Sequence, residues 1–322
     1  MSSPAATSTL VVNPTAGRGK ALKVLPKVMA ELLRGLPEGS LELRQANTYQ
    51  DAEDYCREAV AQAVDDPEQR RNLLVMGGDG LMHLGLNAAA QSEVPVGMIP
   101  AGTGNDICRG LGIPLDPLKA ARVIAEGFNH KVDLTLAMGS LAHGNSQRYV
   151  GSVVASGFDA KVGIRGASMS KAWGSLAYAV AALSELRTFE PLNYRLRVNG
   201  VERLVPAMFV AVANAGYYGG GMNVAPTASV TDGLLDVTIV HPVSRATLLR
   251  LLPRMFNGSF VADPAIERFT TKEIVIDGDG LIGVADGEAL GQPPFGLVCA
   301  PAALSVYVPN PNPLAKRRRS KR

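Results

Sequence analysis

The chain has 322 residues, 47% of them hydrophobic and 19% charged, with a net charge of +3 at pH 7; this balance predicts a folded, globular protein. Aromatic residues make up only 5% of the chain, which argues against a nucleic-acid-binding protein that stacks bases on aromatic rings. Cys56, Cys108 and Cys299 lie far apart in the sequence, so we expect a cytoplasmic protein without a zinc site or disulfides. No run of about 18 apolar residues occurs, so we expect no transmembrane helix.

The N-terminal third of the chain alternates short apolar runs with amphipathic segments. Strands are predicted at 9–13, 40–47, 73–76 and 96–99, and helices at 19–34, 51–64, 81–91 and 105–111. This alternation is typical of βαβ units around a parallel sheet, whose ligands bind at the carboxyl ends of the strands. We therefore predict an α/β domain over residues 1–133.

The remainder of the chain has the pattern of a mainly β domain. Strands are predicted at 148–156, 194–198, 208–213, 235–240, 272–276 and 305–308, with helices at 170–188 and 244–257. Turn signals separate these strands, at Asn199–Gly200, Asp232–Gly233 and Asp277–Gly278. We predict a β-sandwich domain over residues 134–308, whose last strand is able to pack back on the first domain.

The first candidate phosphate site is the sequence NPTAGRGK at residues 13–20, directly after the first predicted strand. A turn of small residues that leads into a helix presents backbone N–H groups and the positive end of the helix dipole, both of which favour phosphate. The segment is not a P-loop, because Pro14 and Ala21 stand where that motif needs Gly and Ser or Thr. An ordinary strand–turn–helix corner explains it equally well.

The second candidate is Gly77-Gly78-Asp79-Gly80, which follows the third predicted strand. Glycines let the backbone come close to a phosphate chain, and the carboxylate of Asp79 can bind Mg²⁺ or a hydroxyl group. The alternative is a simple Gly-Asp-Gly turn. Because the loop lies between a buried strand and a helix, we favour the phosphate interpretation.

The third candidate is the sequence PAGTGND at residues 100–106, again between a strand and a helix. Thr103 can donate to a phosphate, and Asn105 and Asp106 can cap the helix that follows. Capping alone would account for Asn105 or Asp106. It would not account for a second glycine-rich loop at the same edge of the sheet.

These three motifs, in this order and at these distances, resemble the diacylglycerol kinase catalytic-domain family of bacterial lipid kinases, which is related to sphingosine and ceramide kinases. Gly219–Val237 and Val284–Leu290 resemble later motifs of the family, so the resemblance covers about residues 9–308. It implies a fold similar to that of NAD kinases and phosphofructokinases, with the active site in a cleft between an α/β domain and a β-sandwich. It also implies ATP- and Mg²⁺-dependent phosphorylation of a lipid hydroxyl, such as that of diacylglycerol to give phosphatidic acid.

The resemblance also implies that Glu288, in the sequence DGE, is the general base. Phosphoryl transfer needs positioning, charge neutralisation and a carboxylate that accepts the proton of the attacking hydroxyl. Asp286 and Glu288 are two residues apart, so on one strand they would share a face. We predict both, together with Asp79, as catalytic residues; a surface turn of acids is the alternative.

Nucleotide contacts carried over from the family fall on the three loops and on Thr48. They are Asn13, Pro14, Thr15, Ala16, Gly17, Thr48, Gly77, Gly78, Asp79, Gly80, Leu81, Met82, His83, Thr103, Asn105 and Asp106. A second Mg²⁺ site implied by the resemblance consists of Ser229, Asp232 and Leu234, the first and last through backbone carbonyls. Asp232–Gly233 is otherwise a plain turn.

Two positions depart from the family pattern. Leu81 stands where the family usually has Thr, and His83 stands where it often has Asn. Loss of the hydroxyl would weaken one contact to phosphate or Mg²⁺. A lone histidine is more typical of a helix surface or of packing than of catalysis.

The C-terminal residues 309–322 form a predicted disordered tail, and six of its last seven residues, from Lys316 to Arg322, are basic. Such a tail is either simply solvated or attracted to the anionic membrane surface where a lipid substrate would lie. We therefore expect peripheral membrane association. A homodimer is compatible with the sequence, which gives no sign of the oligomeric state.

Two rival functions are another enzyme and, from a different class, a non-catalytic protein. NAD kinases also contain GGDG, but their next motif pairs Asn with Glu, whereas Asn105 is followed by Asp106. A catalytically silent lipid- or nucleotide-binding regulator is the second rival. The presence of Asp79, Asp106 and Glu288 argues against it.

Overall fold

The computed structural model describes residues 8–36, 39–65, 71–157 and 190–311. The helix predicted at 170–188 and residues 312–322 of the predicted tail lie outside the described residues. No helix within the described ranges has both the length and the apolar character needed to span a bilayer.

In the N-terminal half, four parallel strands lie in the order β2-β1-β3-β4. They are β1 (Ser8–Val12), β2 (Leu41–Gln45), β3 (Asn72–Gly77) and β4 (Val96–Pro100). β1 and β4 are buried throughout and β3 nearly so, as expected of a parallel sheet with both faces covered by helices.

Helices cover the two faces of these strands. The helices are α1 (Ala16–Leu32), α2 (Tyr49–Asp65), α3 (Asp79–Ala89), α4 (Asp106–Gly110) and α5 (Pro117–Glu126). α1 and α5 share one core with Leu10 and Met76, while α2, α3 and α4 share the opposite core with Val11 and Val75. Successive strand residues therefore point to opposite cores, as the two-residue period of a strand requires.

The sequence prediction omitted α5. Its local signals are clear in the structure: Asp116 Oδ1 accepts a hydrogen bond from Lys119 N at 2.9 Å, and Gly127 ends the helix with φ +72°. A cap and a C-terminal glycine thus bracket a segment that connects the two halves of the chain.

In the described part of the C-terminal half, mostly antiparallel strands enclose a second core, and a helix packs outside it. The elements are β5 (Asn129–Leu141), β6 (Gln147–Val150), β7 (Val153–Gly157), β8 (Leu192–Val198), β9 (Val201–Ala207), β10 (Phe209–Ala213), β11 (Tyr217–Tyr218), β12 (Met222–Asn223), β13 (Leu235–Val240), α6 (Arg245–Met255), β14 (Ile266–Thr271), β15 (Glu273–Asp277), β16 (Gly283–Ala285) and β17 (Glu288–Tyr307). An α/β region with parallel strands is therefore followed by a β-rich, sandwich-like region, which confirms the predicted fold class.

The long strand β17 joins the two halves. It runs antiparallel to β5 over most of its 20 residues, and near its end Val306 lies beside Val96 of β4 in parallel. Residue 133, the predicted domain boundary, lies inside β5. The sheet is consequently continuous from one half of the chain to the other.

The single strand predicted at 148–156 is wrong: the structure has two strands, β6 and β7, interrupted at Gly151–Ser152. The backbone N–H groups of these two residues donate to the carboxylate of Asp286 instead of to a neighbouring strand. A side-chain acceptor distant in sequence therefore breaks the strand.

Candidate active site

Two glycine-rich loops contact each other at the carboxyl ends of β3 and β4. Gly102 N donates to Gly77 O at 3.1 Å, and a Cβ atom added to Gly102 would lie 2.5 Å from Gly78 Cα. No residue larger than glycine fits at 102 without a shift of the backbone. Gly78 has an extended backbone, with φ −95°, so a glycine at this position provides space and is not needed for a positive φ.

The loop at residues 13–19 lies against the same edge. Asn13 Oδ1 accepts hydrogen bonds from Thr15 N at 3.0 Å and from Thr15 Oγ1 at 2.8 Å. Gly17 has φ +58°, and a Cβ added there would lie 2.4 Å from Ala101 O. The three loops predicted from the sequence therefore meet at one edge of the sheet.

Two carboxylates flank Gly104 at this edge. A Cβ added to Gly104 would lie 2.8 Å from Asp79 Oδ2 and 3.4 Å from Asp106 Oδ2. Asp79 Oδ1 accepts a hydrogen bond from Ile107 N at 3.1 Å, and Asp106 Oδ2 accepts one from Gly220 N at 2.7 Å. The glycine run at 219–221 is thereby brought from the C-terminal half to the carboxylate pair.

The electrostatics of this pair are unfavourable in the free protein. Burial, followed by the negative charge of Asp106, raises the pKa of Asp79 to about 6. Burial also raises the pKa of Asp106, although the N–H of Gly220 opposes the shift. Asp106 Oδ1 is buried and accepts no hydrogen bond within the described ranges, and Arg109 Nε lies 3.8 Å from it.

An oxygen without a hydrogen bond, next to a second carboxylate, fits a hard divalent cation such as Mg²⁺. No group of three or more His, Cys, Asp or Glu side chains in the described part of the chain is arranged to hold a metal ion. A cation at Asp79 and Asp106 would therefore take its other oxygen ligands from phosphate and water, as Mg²⁺ commonly does.

The DGE sequence forms a turn rather than a stretch of strand. Asp286 and Gly287, with φ +50° and +86°, are the two residues between β16 and β17, and Ala285 pairs with Glu288 across the turn. The prediction that Asp286 and Glu288 share a strand face is wrong, because the chain reverses between them.

The carboxylate of Asp286 is buried and accepts three hydrogen bonds. It accepts from Gly151 N at 2.8 Å, from Ser152 N at 2.8 Å and from the His83 ring at Nδ1, 3.0 Å away. These donors belong to both halves of the chain. Asp286 therefore holds the turn that carries Glu288 against α3.

His83 is not on the helix surface: only 2% of it is exposed. Because its Nδ1 faces the Asp286 carboxylate, this nitrogen carries the proton, and Asn87 Nδ2 lies 3.3 Å from the other ring nitrogen. Asn87 also exchanges two hydrogen bonds of 2.9 Å with the backbone of Tyr149. These hydrogen bonds therefore hold the part of α3 that follows Gly80 against the C-terminal half.

Glu288 is half-buried, and its Oε1 would lie 3.2 Å from a Cβ added to Gly80. Two neighbours escaped the sequence analysis. Arg148 Nη1 donates to Ala289 O at 3.0 Å, and burial, followed by the negative charge of Glu288, raises the pKa of Tyr49. These two residues come from β6 and from the start of α2, and no local motif marked them.

Other predicted nucleotide contacts have structural partners of their own. Thr48 is exposed and forms a capping box with Asp51: Thr48 N donates to Asp51 Oδ2, and Asp51 N donates to Thr48 Oγ1, both at 3.0 Å. The side chains of Leu81 and Met82 are buried in the core behind α3. A ligand would meet those two residues through their backbone.

At the tip of the third loop, Thr103 is exposed, whereas Asn105 folds back on the loop. Asn105 Oδ1 accepts from Gly102 N at 3.0 Å, and Asn105 Nδ2 donates to Gly102 O at 3.1 Å. The predicted capping of α4 by the Asn105 side chain is wrong; Asp79 accepts the N–H of Ile107 in that helix instead.

The predicted second Mg²⁺ loop, with Ser229, Asp232 and Leu234, is fixed by a residue that the sequence analysis missed. Asp133 Oδ2 accepts from Gly233 N at 2.8 Å, and its Oδ1 accepts from Ala302 N at 2.7 Å. Asp232 is exposed, and its Oδ1 accepts from Leu234 N at 3.0 Å. Carbonyl and carboxylate oxygens are a donor set that suits Mg²⁺.

Comparison with known proteins assigns both halves of the chain. Residues 7–137 match the diacylglycerol kinase catalytic domain, and residues 152–308 match the YegS C-terminal NAD kinase β-sandwich-like domain. The diacylglycerol kinase of Mycobacterium tuberculosis (strain ATCC 25618 / H37Rv) is 34% identical over 305 residues, 94% of each chain.

Solved structures that share the fold include two that illustrate its range. One, from Bacillus anthracis str. Sterne and described as a diacylglycerol kinase, is 21% identical with a TM-score of 0.70 and covers 96% of this chain and 99% of its own. The yeast NADH kinase complexed with NADH is 11% identical with a TM-score of 0.53, covering 98% of this chain and 87% of its own. At such identities these likenesses concern the fold alone.

The raised pKa of Asp79 predicts a pH-dependent effect of Asp79→Asn on stability. The carboxyl binds its proton more tightly in the folded state, so its contribution to stability falls as the pH rises from about 4 to about 6. Asn is neutral at every pH, and its Oδ1 can still accept from Ile107 N. Without nucleotide and in EDTA, the variant should melt close to wild type near pH 4 and at a higher temperature near pH 7.5.

Calorimetric melting of both proteins at the two pH values measures this difference. Asp54→Asn, on the exposed side of α2, controls for the loss of one negative charge. A melting-temperature difference that is the same at both pH values would contradict the assignment of a raised pKa to Asp79.

The contact between His83 and Asp286 predicts a graded effect of two substitutions. His83→Leu leaves the buried carboxylate without one donor and should lower the free energy of unfolding by about 1.5–3 kcal/mol. His83→Asn can still place an amide N–H near Asp286 and should lower it less. Urea denaturation measures both; a His83→Leu protein as stable as wild type would show that the hydrogen bond contributes nothing.

Proposed function

Because the chain belongs to the diacylglycerol kinase catalytic-domain family, a family of lipid kinases, we propose that it transfers the γ-phosphoryl group of ATP to the hydroxyl of a diacylglycerol. The product would be phosphatidic acid. One observation carries the proposal beyond family membership: the carboxylate of Glu288, from the C-terminal half, lies against Gly80 in the loop that holds Asp79. A candidate base and a candidate phosphate cradle therefore adjoin each other.

The chemistry assigned to these groups is an in-line displacement at phosphorus. The lipid hydroxyl attacks the γ-phosphorus, a new P–O bond forms, and the bond between the γ-phosphorus and the bridging oxygen breaks to release ADP. Glu288 accepts the proton of the hydroxyl as general base. Asp286 positions Glu288 through the turn that its three hydrogen bonds hold.

The three loops are proposed to bind the nucleotide. Glycines at 17 and 102 let the loops pack closely against each other, and Thr103 is exposed where it can donate to a phosphate. Mg²⁺, when bound at Asp79 and Asp106, would neutralise charge on the phosphates. Ser229, Asp232 and Leu234 would hold a second ion, which stabilises the loop that Asp133 anchors.

The lipid substrate implies that the enzyme works at a membrane surface. We propose peripheral association with an anionic leaflet, in which the basic residues at 316–322 take part through attraction worth about 1 kcal/mol per charge near the surface. The substrate proposal within this class is diacylglycerol, on the strength of the name carried by the mycobacterial relative.

Glu288→Gln tests the proposed base. A general base contributes about 10²–10⁴-fold in rate, so kcat should fall at least about a hundredfold while ATP affinity changes little. Turnover is measured with radiolabelled ATP over a panel of diacylglycerol, monoacylglycerol, a sphingoid base, undecaprenol and NAD. Glu273→Gln, an exposed glutamate on β15, is the matched control. Wild-type turnover by a folded Glu288→Gln protein would remove Glu288 from the mechanism, and labelling of NAD alone would refute the lipid-kinase proposal.

Gly102→Ala tests the phosphate cradle. The added Cβ would lie 2.5 Å from Gly78 Cα, so the two loops must separate. Since ångström-scale displacement of positioning groups costs about 10²-fold, kcat/KM for ATP should fall by about that factor. Gly296→Ala is the control, because its Cβ would meet only Met138 Cε, at 3.8 Å. Equal kcat/KM values for the two folded variants would show that the contact between the loops is not needed for ATP use.

A further inference from the structure

The helix α6 (Arg245–Met255) has an unusual surface. One face packs into the core through Leu248, Leu251 and Met255, which are each 1% exposed. The opposite face is also largely apolar: Leu249 is 40% exposed and Phe256, directly after the helix, is 53% exposed. A surface helix normally presents polar residues on that side.

The exposed apolar residues lie on one stripe. Ala246, Leu249, Pro253 and Phe256 are spaced by three or four residues, and all four are exposed. Residues at this spacing are neighbours along one side of a helix. We refer to these four residues as the α6 stripe.

The charges around the α6 stripe have one predominant sign. Arg245 and Arg250 are exposed and Arg254 is partly exposed, whereas residues 241–262 contain no Asp or Glu. Asp263 is the nearest acid in the sequence, 3.6 Å from both Arg250 and Arg254, and cannot neutralise all three guanidinium groups. The stripe is thus an apolar band flanked by net positive charge.

We propose that the α6 stripe docks on the surface of an anionic lipid bilayer. Helices that lie in a membrane interface combine an exposed apolar face with flanking Arg or Lys and few acids. The apolar side chains would enter the boundary between headgroups and acyl chains, and the guanidinium groups would contact phosphate oxygens of the lipids. The charge of the stripe favours this occupant over a second copy of the chain, whose own arginines would face it.

The end of α6 is connected to the candidate active site. A Cβ added to Gly258, in the turn after α6, would lie 2.6 Å from Pro226 Cγ. Six residues before Pro226 in the chain, Gly220 donates its N–H to Asp106. Six residues span at most about 20 Å, so docking by α6 would keep the carboxylate pair close to the membrane. This benefit to catalysis rests on the proposed function, whereas docking itself does not.

Vesicle co-sedimentation tests the proposal without any turnover. Full-length protein is mixed, in the absence of ATP, with vesicles of phosphatidylcholine alone or with phosphatidylglycerol, at low and at high salt. Leu249→Ser/Phe256→Ser should lower the partition coefficient on anionic vesicles at least about tenfold, because it removes the two largest apolar groups of the stripe. Leu33→Ser/Val64→Ser, at sites 44% and 55% exposed on the N-terminal half, is the matched control and should bind as wild type does.

A charge variant separates the two contributions. Arg245→Gln/Arg250→Gln keeps the apolar stripe, so it should weaken binding to anionic vesicles at low salt and change little on neutral vesicles. The predicted basic tail is present in every variant, so differences between them report on α6. Activity on a short-chain diacylglycerol in detergent is recorded in parallel, and the stripe variants should retain it.

Several outcomes would overturn the docking proposal. The first is that wild-type protein does not bind anionic vesicles, and the second is that stripe and control variants bind equally. The third is that light scattering shows a dimer for wild type and a monomer for the stripe variant, while vesicle binding is the same for both. The last result would make the stripe an interface between two copies of the chain. If wild type phosphorylates no diacylglycerol in detergent, the proposed function fails, and the vesicle results still decide the docking proposal.

Discussion

The buried carboxylate of Asp286 joins the two halves of the molecule. Its three hydrogen-bond donors come from α3 on one side and from the break between β6 and β7 on the other. A buried charge that loses a partner is costly, so these donors and the acceptor constrain one another strongly. Because Glu288 follows only two residues later, its position relative to the loop at Gly80 depends on this one group.

The carboxylates at the sheet edge show the opposite situation. Asp79 and Asp106 are both desolvated, and they oppose each other electrostatically. Backbone N–H groups of Ile107 and Gly220 hold them in place nevertheless. Such an arrangement costs stability in the free protein, and buried carboxylates with raised pKa values cluster at functional sites. A cation and phosphate groups would relieve the repulsion.

The long strand β17 connects the turn at Asp286 with the parallel strands of the N-terminal half. Its first residues carry Glu288, its middle pairs with β5, and its end adjoins β4. The strand that carries Glu288 and the parallel strands that carry the glycine loops are consequently parts of one continuous sheet. The likeness to an NADH kinase concerns this frame alone, because one fold can support different functions.

The sequence by itself determined the parallel strands, most of the helices and the three glycine loops. Those features depend on residues close together in the chain: apolar periodicity, caps and glycine at the ends of strands. Only the tertiary structure decided which distant residues meet. The contact between His83 and Asp286 spans 203 positions, and the break at Gly151–Ser152 exists because of the same carboxylate. The roles of Asp133, Tyr49 and Arg148 were hidden for the same reason, because a hydrogen bond or a desolvated charge between distant segments leaves no local pattern in the sequence.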